Sequence, residues 1–297
     1  MATLVADFVE QAWRLVLRRE PDPGSAERVE RGEVSRARLV RELVESREFE
    51  RVELRDDGLA IARRHRGERP RELAAPAWSD ERALEIPWML ARYAGERRVL
   101  DIGTAFAEPQ YVEGLHDLGA AELMTVDLAE PADVIADVRE LPFEDGRFDL
   151  IFCVSTLEHV GRDNTTYDVD APRDERGDEA ALRELRRVLA GDGRLLVSVP
   201  TGVHDDQGWQ LQREPLAWIE LFERSGFLVY EDELYVRHAD RWRSASEPEA
   251  RAATYAEHGA GAVLLAELHH GTVGGKLRLA VRDVRHRDVA RRSTQLP

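Results

Sequence analysis

The sequence predicts an α/β protein in which a mostly parallel sheet follows an all-α module. Three observations lead there. The short apolar runs Val99-Leu100-Asp101-Ile102-Gly103, Leu123-Met124-Thr125-Val126-Asp127 and Phe148-Asp149-Leu150-Ile151-Phe152-Cys153-Val154 read as buried parallel strands. Segments with helical spacing lie around them, the arrangement that gives a parallel sheet. The first 64 residues, by contrast, carry helical periodicity alone.

In that first stretch Leu4/Val5, Phe8/Val9, Ala12/Trp13 and Val16/Leu17 make one apolar helical face. Pro21-Asp22-Pro23-Gly24-Ser25 ends this helix and starts another. Ser35 precedes Leu39, Val40, Leu43 and Val44 at helical spacing, and Phe49 and Val52 continue a third helix that Gly58 weakens. Residues 1–64 thus read as a helical module for docking or capping, and 65–79 as a polar linker. The main domain spans 80–282, and 283–297 form a loose charged tail.

Ser79 is expected to cap a helix whose first turn carries Asp80 and Glu81. Strands follow at 98–102, 122–126, 133–137, 148–154 and 194–199, with helices at 109–118, 178–190 and 214–225. Only Leu128 to Asp133 separates the second and third strands, too little for a crossover helix, so an extended or single-turn link is expected. Gly191-Asp192-Gly193 reads as a turn, and the runs from Phe227 and from Ala262 as closing strands. The polar segment 161–177 is a long loop, and long loops inside compact domains are often functional.

Composition narrows the function. A charge of -16 over 297 residues excludes general affinity for nucleic acid, whose phosphates need a basic surface, and docking on anionic membranes. No apolar run reaches the roughly 20 residues that span a bilayer, so no membrane insertion is expected. One cysteine, Cys153, cannot build a disulfide framework. The absence of a signal-type N-terminus adds to this, and the expectation is a cytoplasmic protein.

The chemistry gathers at strand ends. Asp101 can accept from the ammonium of an amino-acid-like cofactor, and Gly103 directly after the strand admits unusual dihedrals and close backbone approach. Asp127, at the next strand end, can accept both hydroxyls of a ribose. Asp137, in Ala136-Asp137-Val138, can take an adenine amino group while the adjacent backbone reads the ring. Three acids at successive strand ends point to a nucleoside-bearing cofactor.

The order of these segments resembles the class I S-adenosylmethionine-dependent methyltransferases. The resemblance rests on Val99-Leu100-Asp101-Ile102-Gly103, Val126-Asp127, Ala136-Asp137-Val138-Arg139-Glu140-Leu141-Pro142-Phe143 and Phe148-Asp149-Leu150-Ile151-Phe152. It continues through Leu157-Glu158-His159-Val160, Leu182-Arg183-Glu184-Leu185-Arg186-Arg187-Val188-Leu189 and Gly191-Asp192-Gly193-Arg194-Leu195. It implies a Rossmann-like seven-stranded methyltransferase sheet, the last strand antiparallel, with S-adenosyl-L-methionine across the strand ends. By resemblance Asp101 and Gly103 contact the methionine part, Asp127 the ribose, and Asp137 with Val138 the adenine. Thr104 and Leu128 complete the set, and Phe152 to Thr156, including Val154 and Ser155, run beneath the transferred methyl. One departure stands out: where the family reads acid-x-Gly-x-Gly-x-Gly, this chain has Asp101-Ile102-Gly103-Thr104-Ala105-Phe106-Ala107. An added methyl is tolerated at negative φ and costly at positive φ.

The N-terminal stretch resembles a small bacterial helical module related to phycobilisome linker domains, through Asp7-Phe8-Val9, Arg18-Arg19-Glu20-Pro21-Asp22-Pro23 and Glu45-Ser46-Arg47-Glu48-Phe49. That resemblance implies a protein partner and glycan modification. The implied reaction is O-methylation of a small-molecule or glycan hydroxyl. A catalytically inactive docking protein, and a nucleotide-sugar or dinucleotide enzyme, are the alternatives.

Methyl transfer to a hydroxyl depends on positioning and on removing one proton. His159, following the fourth strand, suits that base, and His204 is its rival. His204-Asp205-Asp206 is too short a cluster to predict a metal. His269-His270 read as surface residues. Acceptor recognition is expected from Arg162, Asn164 and Tyr167 of the long loop, with Asp163 and Arg173, from Trp209 stacking on a sugar ring, and from Trp88.

Overall fold

The structure, a computed structural model, describes residues 2–17, 20–53, 56, 72–75, 79–105, 107, 109–169, 171–256 and 259–271. The tail read at 283–297, most of the linker read at 65–79, and Gly58 lie outside these residues. The chain divides into two compact units. One comprises Met1–Ala94, Phe106–Gly119 and Ala239–Trp242; the other comprises Gly95–Ala105, Ala120–His238 and Arg243–Pro297.

In the first unit, helices α1 (Ala2–Val16), α2 (Ser25–Glu30) and α3 (Arg36–Val44) are followed by a helical stretch at 47–53. The apolar spacing read from the sequence is the face they bury: Val9, Trp13 and Leu17 meet Val34, Leu39 and Leu43. Ser35 caps α3 by accepting from the Arg38 amide at 3.2 Å. Helix α4 (Arg82–Ala91) begins later than expected. Glu81, not Ser79, holds its N-cap position, and the Asp80 carboxylate accepts from the Arg82 amide at 3.0 Å. Helix α5 (Pro109–Asp117) lies close against α4 because Gly114 lacks a side chain: a Cβ there would stand 2.6 Å from Leu90 Cδ1.

The second unit is built on a sheet. Strands β2 (Arg98–Ile102), β3 (Glu122–Asp127), β4 (Val134–Ile135), β5 (Phe148–Val154) and β6 (Leu189–Pro200) run parallel. Helix α6 (Gly177–Val188) precedes β6, and a small hairpin of β7 (Asp205–Asp206) and β8 (Leu211–Gln212) follows it. Helix α7 (Pro215–Arg224), strand β9 (Phe227–His238), strand β10 (Arg241–Ser244), helix α8 (Glu247–Arg251) and strand β11 (Ala262–His270) complete it. Counting β1 (Glu72–Ala74), which like the first half of β10 is assigned to the first unit, the strand order is β1-β10-β9-β11-β6-β5-β2-β3-β4.

The sheet therefore has nine strands rather than the expected seven. The additions are β10, which the chain reaches through a turn at Ala239-Asp240 after β9, and β1, which falls inside the segment read as linker. Strand β11 is antiparallel to both β6 and β9. Its run from Ala262 to Ala266 is buried throughout, because a central strand between two neighbours has no solvent face.

Three local expectations have definite outcomes. The β3–β4 link holds no helix, and the two strands overlap by only two residue pairs. Short parallel overlap needs little chain, and Thr125 and Asp133 clamp it: the Thr125 amide and hydroxyl both donate to Asp133 Oδ2 at 2.9 Å. The Asp133 amide returns a bond to Thr125 Oγ1 at 2.9 Å. The turn read at Gly191-Asp192-Gly193 is an irregularity inside β6, where pairing with β5 jumps from Phe148↔Leu189 to Leu150↔Arg194. His269 and His270 are not surface residues: they are half-buried in β11, with His269 Nε2 2.8 Å from Glu267 and His270 Nε2 2.8 Å from the Leu189 carbonyl.

The core of this unit is apolar and aromatic, with Phe148, Phe152, Trp218 and Phe222 fully buried. Trp218 satisfies its indole by donating to the Pro200 carbonyl at 3.0 Å, which ties α7 to the end of β6. At the opposite end, Arg98 opens β2 and pairs with Asp149 of β5; the Arg98 amide also donates to Asp149 at 3.1 Å. Among the described residues no helix is long and apolar enough to cross a membrane.

The hydrogen bond from Arg98, against the opposing effect of burial, holds the Asp149 carboxyl below its ordinary range. A depressed acid contributes stability above its unfolded value, about 4, and loses it as pH falls through the folded value. Asp149→Asn should therefore cost about 1 kcal/mol at pH 7. The gap to the wild type should close as pH falls below about 4 in urea denaturation curves.

Candidate functional site

Strand β2 has β5 on one side and β3 on the other, so the direction of chain progression across the sheet reverses there. In open α/β sheets ligands bind outside the carboxyl ends of the strands at such a switch point. Trp88 and its neighbour Arg92 apart, the residues described below belong to the second unit.

The turn after β2 is set by Gly103, at φ +91°. Its amide donates to the Val126 carbonyl at 2.9 Å, so this amide is spent on β3. A Cβ at 103 would stand 2.2 Å from Thr156 Oγ1. The glycine is therefore required by the chain's own approach to the segment after β5. Thr156 Oγ1 in turn donates at 3.2 Å towards the Ile102 carbonyl or at 2.8 Å towards the Val154 carbonyl, bridging the ends of β2 and β5. Sequence reasoning singled out the glycine, and named Thr156 only as the end of the segment expected beneath the transferred methyl.

Asp101 is fully buried and accepts from Thr104 Oγ1 at 2.5 Å. Asp127 closes β3; its Oδ2 accepts from the Ala105 amide at 2.8 Å, and its Oδ1 from the Ala129 amide at 3.3 Å. Thus the second acid holds the first loop. Ala105 is not among the described residues with positive φ, so its methyl carries no backbone strain. Leu128 is half-buried beside Asp127.

Asp137 is placed differently from expectation. Burial pushes its carboxyl up, but the Arg139 side chain and amide hydrogen bonds together with the Arg139 charge hold it below the usual range. Arg139 Nε lies 2.9 Å and 3.0 Å from its two oxygens, and the Arg139 amide adds a bond at 2.9 Å. Arg139 also donates to the Pro172 carbonyl at 2.9 Å. The carboxylate expected for an adenine amino group is thus engaged by Arg139, a partner two residues on. Val138 is buried in the core.

Val154 and Ser155 stand at the end of β5. Ser155 has φ 41°, a left-handed conformation unusual for a side chain-bearing residue, and its amide is held by Ser198 of β6, through the carbonyl at 3.1 Å and the hydroxyl at 3.2 Å. The chain then enters a single 3-10 turn, Leu157–His159.

His159 is the centre of an aromatic group. Its Nδ1 lies 3.0 Å from the Trp209 carbonyl, its ring stacks on the Trp209 indole at 5.2 Å and 27°, and Tyr167 meets it edge-on at 5.6 Å. A carbonyl only accepts, so Nδ1 carries the proton and Nε2 of the neutral ring is the basic nitrogen. Buried Glu158 places Oε1 3.8 Å from that Nε2. Trp209, expected as a platform for a sugar ring, has His159 on its indole and Tyr255 packed edge-on at 6.1 Å. Tyr255 was not foreseen, since it lies in a loop far along the chain.

The long loop is tied to itself and to the β7–β8 hairpin. Arg162 pairs with Asp206 at 3.1 Å, Asp163 pairs with Arg173, and Asn164 Nδ2 reaches the His159 carbonyl at 3.4 Å. His204 is exposed, and Trp88 is a buried core residue with Arg92 3.7 Å over its ring, in the other unit. Trp88 is thereby withdrawn from the acceptor candidates. Among the described residues no group of three or more His, Cys, Asp or Glu is placed to hold a metal ion.

Comparison with known proteins adds to this geometry. Residues 100–197 match the family described as methyltransferase domain. The match runs from within β2 to within β6 and covers about a third of the chain. The chain is 32% identical over 111 residues to an uncharacterised protein of Methanocaldococcus jannaschii; the alignment covers 34% of this chain and 40% of that protein. Among solved structures it is similar to a putative methyltransferase from Bacillus halodurans (14% identity, TM-score 0.42, 62% of this chain and 96% of the other). It is also similar to the Burkholderia thailandensis 1,6-didemethyltoxoflavin-N1-methyltransferase with bound 1,6-didemethyltoxoflavin and S-adenosylhomocysteine (15%, TM-score 0.40, 74% and 79%).

Gly103→Ala should cost about 1–3 kcal/mol, because it adds a methyl at positive φ and drives it onto Thr156. Urea denaturation measures the loss, and a double variant with Thr156→Ala should recover the steric part but not the backbone part.

Proposed function

We propose that this chain transfers a methyl group from S-adenosylmethionine to a hydroxyl of a small-molecule or glycan acceptor, with His159 as the general base. The observation that carries this reading is the contact of His159 Nδ1 with the Trp209 carbonyl at 3.0 Å, which makes Nε2 the basic nitrogen of the neutral ring, directly after β5. A hydroxyl needs such a base at neutral pH, and imidazole titrates in that range.

The residues present fit the donor by the chemistry of their groups. Asp101 is a buried carboxylate suited to an ammonium, and Asp127 is a half-buried carboxylate suited to ribose hydroxyls. Gly103, Thr104 and Leu128 flank these two acids, and Val154 and Ser155 stand at the neighbouring strand end. For the adenine end, the engagement of Asp137 by Arg139 shifts the weight to the backbone around Val138. S-adenosylmethionine supplies an electrophilic methyl on a sulfonium sulfur. The chain's part is to orient, to exclude water and to hold the proton that leaves the acceptor hydroxyl at His159 Nε2. Glu158 beside Nε2 stabilises the charged imidazole. The polar loop carrying Arg162, Asn164 and Tyr167 supports a hydroxylated acceptor. We read residues 1–64 as a docking module for a protein partner, and the protein as cytoplasmic.

Calorimetry with S-adenosylmethionine and S-adenosylhomocysteine tests the donor; no heat at millimolar ligand would overturn the reading. Asp127→Ala should weaken binding about 10-fold to 100-fold, the loss of a charge-assisted hydrogen bond. A labelled-methyl screen over hydroxylated acceptors tests the reaction. His159→Gln should lower turnover by about 100-fold or more with donor affinity kept.

A further inference from the structure

We propose that Trp209 is the positioning residue of His159: from the β7–β8 hairpin it fixes the imidazole in the Nδ1–H form and shelters its charge once a proton is taken. This rests on the reading of His159 as the base.

One residue touches the imidazole in two independent ways. The Trp209 carbonyl fixes Nδ1 at 3.0 Å, and the Trp209 indole covers the ring face at 5.2 Å. The first contact selects the tautomer, since only the Nδ1–H form can donate to a carbonyl. Both contacts favour the imidazolium over the neutral ring. Nδ1–H is a better donor when the ring is charged, and an indole face attracts a cation.

The contact is also rigidly supported. The hairpin pairs Asp205 with Gln212 and Asp206 with Leu211. Its tip turns at Gly208, φ +83°, and closes with a bond from the Gln207 amide to the Gln210 carbonyl at 3.1 Å. The Asp163 amide donates to the Gly208 carbonyl at 2.9 Å, and Arg162 holds Asp206. Tyr255 packs edge-on against Trp209. Two residues from the loop that follows His159, Arg162 and Asp163, thus grip the hairpin that positions it. The charged and titratable groups around the imidazole are Glu158 at Nε2, Tyr167 at the ring edge, and the Arg162–Asp206 and Asp163–Arg173 pairs. Nδ1 itself faces the Trp209 carbonyl.

The test needs no substrate. The full chain, labelled with ¹⁵N at histidine, is titrated by NMR as wild type, Trp209→Phe and Trp209→Leu, with fold checked by circular dichroism. The His159 signals are assigned by their loss in His159→Gln. The wild type should show the Nδ1–H tautomer. In Trp209→Leu, which keeps the backbone carbonyl and loses the indole face, the Nδ1–H tautomer should persist while the His159 midpoint falls by about half a pH unit or more, and Trp209→Phe should restore most of the shift. An Nε2–H tautomer in the wild type, or an unchanged midpoint in a folded Trp209→Leu, overturns the proposal. If Trp209→Leu does not fold, the wild-type tautomer and Trp209→Phe still decide it. Undiminished turnover in His159→Gln would overturn the base reading instead, and the titration would still decide what Trp209 does to His159.

Discussion

The second unit depends on the close approach of Gly103, at the end of β2, to Thr156, just beyond the end of β5. No residue with a side chain fits between them. That absence lets the Thr156 hydroxyl reach the carbonyls of both strands and join their ends. The switch point of the sheet is thereby a closed corner rather than a loose fork. The same glycine turns the backbone at φ +91° and delivers the loop that Asp127 then holds through the Ala105 amide. Strand ends, loop and acids form one mechanical unit, as a site needs if its groups are to be in place before a ligand arrives.

Within that unit the acids differ in freedom. Asp101 is buried against Thr104 and Asp127 anchors backbone, so both are oriented by their neighbours. Asp137 is committed to Arg139, which also reaches Pro172 in the long loop. A single guanidinium therefore links the third acid to the long loop. The loop itself is bound to the hairpin through Arg162 and Asp163. The polar residues that give this loop its sugar-like appearance spend much of their hydrogen bonding on holding its shape.

The aromatic group around His159 shows the same economy. Trp209, Tyr167 and Tyr255 come from three separate segments and converge on one imidazole or on its partner. Their value lies in orientation: a carbonyl chooses the protonated nitrogen, and ring faces receive the charge. His204, though near in sequence to the hairpin, is exposed instead. It has no comparable frame in the structure.

By itself the sequence determined the strands from Val99, Leu123 and Phe148, the acids at their ends and the helical faces of the first 53 residues. These follow from local apolar periodicity and turn chemistry, which each segment carries within itself. Only the tertiary structure decided the rest. The two extra strands, β1 and β10, are short and lack a periodic pattern, so nothing local marks them. The engagement of Asp137 by Arg139 depends on side-chain rotamers rather than residue types. The need for glycine at 103 comes from Thr156, fifty-three positions away in the chain. The tautomer of His159 depends on a backbone carbonyl fifty residues on, and a carbonyl leaves no trace in a sequence because every residue has one. Patterns are local, while the contacts that tune a site join distant segments, and only folding brings those together.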